Sequence, residues 1–171
     1  IQDCYGRCVS LPSSVNSCAT VGSAARFVVY VGAQDKLVAV TEMEKSSVAR
    51  PYTVAWEDKI SNLPTTSNGN HVLESNVNEE ALMDIAPDVI ISSRSSQECD
   101  DLQNKTNIPV VGISYHDTIF DDEVYNSLTV VGDALGSSEH ASYVISKIKD
   151  WESELQEKTS SIPDFLRPSC Y

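Results

Sequence analysis

The chain has 171 residues, with 12 Lys plus Arg against 25 Asp plus Glu and a formal charge of −13 at neutral pH. So acidic a chain repels phosphate backbones and anionic headgroups, which excludes nucleic-acid binding, since that relies on clustered cations. The length suits about one domain at roughly 150 residues each, and 41% apolar residues is enough for a packed core, which excludes wholesale disorder. The longest apolar stretches, residues 27–31 and 89–91, fall far short of the ~18 residues of a membrane-spanning helix. The chain starts at Ile1 without a Met, a basic start or an apolar signal region, as expected of a mature or trimmed chain.

In chain order, residues 9–12 and 17–21 are short extended runs around a Ser/Asn turn and predict an edge hairpin. Residues 24–31 carry Phe27, Val28 and Val31 at helical spacing and stop at Gly32, a residue suited to a left-handed cap; residues 37–40 follow as a strand. Between residues 41 and 76 periodicity fades while Pro, Thr, Ser, Asn and Gly accumulate, which predicts a long surface excursion with one short helix. Asn78 caps a helix running to Ala86, with Glu79 and Glu80 at its positive end, and an apolar strand follows over residues 88–92. Residues 98–105 read as a helix with Asn107 in its terminal turn, and Pro109 leads into a strand over residues 110–113.

Asp121 or Asp122 starts the next helix, with Val124, Leu128, Val131 and Leu135 inward and Gly136 at its end. Ser137 or Ser138 starts the longest helix, whose apolar stripe is Ala141, Val144, Ile145, Ile148, Trp151 and Leu155. Strands too apolar to have a wet face, alternating with helices, predict a three-layer α/β/α, Rossmann-like domain with a mostly parallel sheet covered on both sides. The last residues, 161–171, turn apolar at Cys170 and Tyr171, as at the start of a further strand, which suggests a truncated protein. Cys4, Cys8, Cys18, Cys99 and Cys170 form no CxxC pair and are odd in number; Cys4 could bridge to Cys8 or Cys18, and buried free thiols are the simpler alternative.

Ligands of an open parallel sheet collect at the carboxyl ends of its strands. The loops there hold neither GxGxxG nor GxxxxGK, and no GxSxG nucleophile elbow occurs, so nucleotide enzymes and hydrolases lose support. Arg50 and Tyr52 in the long excursion, Arg94 after the third strand and Tyr115 after the fourth are the candidates for an anion-binding rim, with guanidinium forks for charge and aromatic walls for stacking. Glu42 and Glu44 near that rim read as solvated. His116, with Asp117 beside it, has metal-ligand chemistry, but no HxH or HExxH spacing unites it with His71 or His140.

The run Asn78-Glu79-Glu80-Ala81-Leu82-Met83-Asp84-Ile85-Ala86-Pro87-Asp88-Val89-Ile90-Ile91 resembles the capped helix, Pro-Asp and apolar strand of substrate-binding proteins that serve ABC importers for iron siderophores, haem and cobalamin. Asp3, Gly6, Arg7, Val9, Leu11 and Pro12 are similar to that family's opening hairpin, Leu63-Pro64 to its pre-helix turn, and Ile108-Pro109-Val110-Val111 to its strand entry. The resemblance implies two α/β lobes joined by one long rigid helix. Residues 1–136 would be the N-terminal lobe, 137–160 the interlobe helix, and 161–171 a tail entering a second lobe. It also implies an extracytoplasmic protein, periplasmic or lipid-anchored, that is no enzyme, carries no cofactor and delivers an iron chelate, haem or corrinoid to a membrane permease. Glu80 matches the lobe-surface glutamate that docks on the permease, and Ser23, Arg50, Tyr52, Arg94, Tyr115 and His116 would face the ligand. A small flavodoxin-like or reductase-type enzyme, and direct capture of a divalent ion through His116 and His71, are the alternatives.

Overall fold

In chain order the elements are β1 (Cys18–Val21), α1 (Ala25–Tyr30), a 3-10 turn at Gln34–Lys36, β2 (Leu37–Ala39), α2 (Glu42–Lys45), α3 (Pro51–Val54), α4 (Glu57–Ile60), β3 (Ser67–Asn68), β4 (Asn76–Val77), α5 (Glu79–Ile85), β5 (Val89–Ser92), α6 (Ser96–Thr106), β6 (Val110–Gly112), α7 (Asp122–Leu135) and α8 (Ser138–Thr159). The computed structural model describes residues 1–45, 50–54, 56–68, 76–116, 118–163 and 166. His71, Asp117, Cys170 and Tyr171 lie outside the described residues.

Four strands form a parallel sheet in the order β2-β1-β5-β6, with Cys18 to Val21 in register against Val89 to Ser92. Alternate side chains serve opposite faces, as the two-residue period of a strand requires. Cys18, Val89, Ile91 and Val111 join Phe27, Val28, Leu128, Val131 and Ile148 on one side; Ala19, Val21, Ile90 and Val110 join Leu82, Cys99 and Leu102 on the other. The result is the α/β/α sandwich expected from the strands' apolar runs.

Two expectations are corrected. Residues 17–21 are no edge hairpin: β1 lies between β2 and β5 and is buried along its length. The antiparallel contact of this region comes earlier, as a bridge between Gln2 and Cys8. Among the described residues, the excursion over residues 41–76 carries three one-turn helices and the antiparallel pair β3–β4, and Glu44, Thr53, Ile60, Thr66 and Ser67 within it are buried. Its chain returns along the open edge of β2, where Val40 N donates to Pro64 O at 3.1 Å and Thr66 N to Val40 O at 2.9 Å. The backbone groups of Val40, just past the edge strand, are thereby paired.

Helix ends follow their side chains. Asn78 accepts from Ala81 N at 3.0 Å, Ser95 and Glu98 form a capping box, and Asp121 accepts from Glu123 N at 2.8 Å. Gly132 lets α7 and α8 touch, since a Cβ there would stand 2.6 Å from the Ala141 Cβ. On α8, Ala141 and Ile148 are buried, whereas Trp151 and Leu155 are 54% and 51% exposed, so the apolar stripe runs off the sheet layer. Cys4, Cys8, Cys18 and Cys99 are all free thiols; burial pushes Cys18 up to about 12.

The N-terminal segment is clasped to β6 by one carboxylate. Asp3 Oδ1 accepts from Tyr5 N and Arg7 N at 3.0 and 2.9 Å, while Oδ2 accepts from Arg7 Nη1 at 2.8 Å and Gly112 N at 3.0 Å. Its side chain is fully buried, and Arg7 reaches on to Asp100 at 2.7 Å. A Cβ at Gly112 would collide with the Tyr5 ring at 2.6 Å, so glycine there lets the segment lie flat on the strand. Asp3→Ala leaves buried N–H groups unpaired, and Asp3→Asn turns an amide donor onto donors. Both should lose about 3 kcal/mol in urea unfolding, and wild-type stability in either variant would refute the clasp.

Candidate functional site

The carboxyl ends of β1, β2 and β6 open onto a shallow pocket of about 350 Å3, lined by Ser23, Arg26, Tyr30, Met43, Arg50, Pro51, Tyr52 and Tyr115. Four of the six side chains proposed from sequence to face ligand therefore converge: Ser23, Arg50, Tyr52 and Tyr115. Ser23 opens the turn after β1; its N–H donates to Ser93 Oγ at 2.8 Å and its hydroxyl is hydrogen-bonded to Tyr115 OH. Tyr115 in turn supports Arg26, whose guanidinium carbon lies 4.1 Å from the ring centroid, within cation–π range. Arg26 Nε is buried and has no hydrogen-bond partner among the described residues.

On the opposite wall, Arg50 Nη1 donates to Met43 O at 2.5 Å and stands 3.6 Å from Glu44 Oε2. The Tyr52 hydroxyl donates to the same Glu44 oxygen at 2.7 Å, and the Tyr52 ring meets Tyr30 edge-on at 6.0 Å. Glu44, expected to be solvated, has a fully buried side chain, whereas Glu42 stays half-exposed. The one-turn helix α2 turns Glu44 under Tyr52 and Arg50, and those two partners are what make burial tolerable. Desolvation pushes the Glu44 carboxyl up, opposed by the Tyr52 hydrogen bond and by the charges of Arg50 and Arg26. Burial, with Glu44 beside it, drives the Tyr52 phenol well above its usual range.

Arg94 and His116 are not brought into this pocket. The chain after β5 crosses to α6 on the other sheet face, so Arg94 lines a separate cleft of about 510 Å3 with Glu79, Glu98, Asp101 and Lys105. Its guanidinium lies 3.7 Å from Glu98. His116 is 65% exposed and faces the start of α7, with Nδ1 2.9 Å from Asp121 Oδ2 and Nε2 3.4 Å from Glu123 Oε2. The Asp121 carboxyl is held low, first by the Glu123 N–H and then by His116. Among the described residues no group of three or more His, Cys, Asp or Glu could hold a metal ion. Glu80 is exposed on the first turn of α5, whereas its neighbour Glu79 pairs with Lys105 at 2.7 Å.

Arg26, Tyr30 and Met43 line the pocket without having been proposed from sequence, and Glu44, read as solvated, lies buried behind it. Arg26 is the one charged residue in the stretch Ala24-Ala25-Arg26-Phe27-Val28-Val29, one turn beyond a central strand, and that isolation in an apolar run was the available signal.

The periplasmic binding protein family model matches residues 20–166. With the parallel sheet and its strand-end pocket in place, the assignment is plain: this chain belongs to the periplasmic binding protein family. Among solved structures it is similar to a periplasmic solute binding protein from Veillonella parvula, at 25% identity and TM-score 0.76 over 96% of this chain and 49% of that one. It shares its fold with the molybdate-bound periplasmic binding protein MolA of a Haemophilus influenzae ABC transporter, at 18% identity and TM-score 0.80 over 98% and 55% of the two chains. It also shares it with Staphylococcus aureus SirA complexed with staphyloferrin B, at 19% identity and TM-score 0.66 over 95% and 52%. The chain spans about half the length of these structures. No curated relative matches it.

Proposed function

We propose that this chain is the N-terminal lobe of a two-lobed solute-binding protein that captures a metal chelate bearing anionic groups, such as a ferric siderophore, haem or a corrinoid, and delivers it to the permease of an ABC importer outside the cytoplasm. The observation that carries this reading is the convergence of Arg26 and Arg50 in one open pocket walled by Tyr30, Tyr52 and Tyr115, in a chain of net charge −13. Guanidinium forks suit carboxylate or phenolate oxygens, and flat aromatic rings suit planar ligand groups.

A pocket of about 350 Å3 with one wall open is at the small end for a site that must bury most of a ligand. The opposing wall would come from a second lobe, with α8 as the rigid connection and its exposed Trp151 and Leu155 pointing to further partners beyond this lobe. Support for a flavodoxin-like enzyme is weaker, because phosphate capture needs loop amides free and the Ser23 N–H is committed to Ser93.

Fluorescence titration of the full-length protein with ferric siderophores, haemin, cyanocobalamin and molybdate tests the ligand class. One chelate class should bind saturably, and Arg26→Ala or Arg50→Ala should each weaken it about 10- to 100-fold, the loss expected of a charge-assisted contact. Binding of molybdate alone, or equal affinity in both variants, would refute it. Glu80, exposed and without a pairing lysine among the described residues, would dock on permease arginines. Glu80→Ala should lower cellular uptake by roughly an order of magnitude at low salt with ligand affinity unchanged; undiminished uptake would remove that role.

A further inference from the structure

Behind the pocket, Glu44 is a fully buried carboxylate whose Oε1 has no hydrogen-bond partner among the described residues. Its other oxygen holds the Tyr52 hydroxyl at 2.7 Å and faces Arg50 Nη1 at 3.6 Å. That last separation is too long for a strong hydrogen bond and short enough for strong Coulomb attraction in a dry site. Arg50 thus has a neighbouring anion already, held slightly off contact. The groups that face Glu44 are Tyr52 on α3, Arg50 just ahead of α3, and Arg26 on α1; α4, which also packs on α2, adds no charge that acts on it.

We propose that Glu44 is the specificity-determining residue of this pocket: a buried counter-charge that competes with the incoming anion for Arg50 and Arg26, so that the anion is taken up together with a proton on Glu44. The inference rests on the anion-binding reading above. With Glu44 ionised, two cations face one buried anion, and a ligand anion would add a like charge beside Glu44. Protonating Glu44 removes that repulsion and leaves both guanidiniums to the ligand, while Tyr52 keeps an acceptor. The direction is set by linkage. Desolvation already raises the carboxyl of the ligand-free protein, and an arriving anion raises it further, so binding draws a proton in and strengthens as pH falls.

Calorimetry with ferric citrate and haemin, on the full-length protein in buffers of different ionisation enthalpy, measures affinity and proton uptake together. Wild type should bind its anion severalfold tighter at pH 5.5 than at pH 7.5 and take up a fraction of a proton. Glu44→Gln, which keeps an acceptor for Tyr52, should bind tightly at both pH values with that uptake abolished. Tyr52→Phe removes the hydrogen bond that favours ionised Glu44, so it should move the transition to higher pH; this variant keeps the test decisive if Glu44→Gln fails to fold. Anion binding with the same pH dependence and proton uptake in wild type and Glu44→Gln, or an unmoved transition in Tyr52→Phe, overturns the role of Glu44 alone. Failure of wild type to bind either probe at any pH overturns both this role and the anion-binding reading.

Discussion

A parallel sheet leaves neither of its faces to water, and most of this molecule follows from that constraint. Because β1, β5 and β6 are buried throughout, helices must cover both sides. The α1, α7 and α8 layer does so on one face and α5 with α6 on the other. The only places where backbone and polar side chains can meet a ligand are then the strand ends. The carboxyl ends of β1, β2 and β6 lead into turns whose second residues, Ser23, Thr41 and Ser114, are polar, and Ser23 and Tyr115 from these turns line the pocket. At the outer edge of the sheet, Asp3 ties the first residues to Gly112 and so completes the cover of β6.

Charge placement adds a second layer to this geometry. A chain with twice as many acids as bases should surround its surface with negative potential, yet Arg26 and Arg50 both face one pocket. Each guanidinium is held by something other than an exposed carboxylate: Arg26 by the Tyr115 ring, and Arg50 by the Met43 carbonyl and the hidden Glu44. A rim carboxylate would have quenched the positive charge at the surface, whereas a buried one moderates it from behind. The distinction matters because exposed ion pairs are cheap to break and buried ones are not.

What could be read from the residues was what depends on short-range physics. The helix of α5 with its Asn78 cap, the turn at Asn107, the inward face Val124, Leu128, Val131 and Leu135, and the Gly136 terminus all follow from local periodicity and capping. Lost were features decided by distant partners. β1 looked like one arm of an edge hairpin because a Ser/Asn turn separates it from the extended run over residues 9–12, but its centrality comes from β2 and β5 pairing on either side. Glu44 looked solvated because nothing nearby in the chain announces that Tyr52, Arg50 and Arg26 surround it. Arg94 and Arg50 seemed to share one rim because both follow strands, and only the crossover to opposite faces separates them.

The contact between Gly132 and Ala141 also bears on mechanics. With no room for even a methyl group between them, α7 and the first half of α8 cannot slide or rock against each other without collision, so they behave as one welded beam. Further out, past Ile148, α8 carries Trp151 and Leu155 exposed, and among the described residues it leaves behind the packing that holds its first half. Force applied at the far end would be transmitted to the sheet as leverage on a stiff arm.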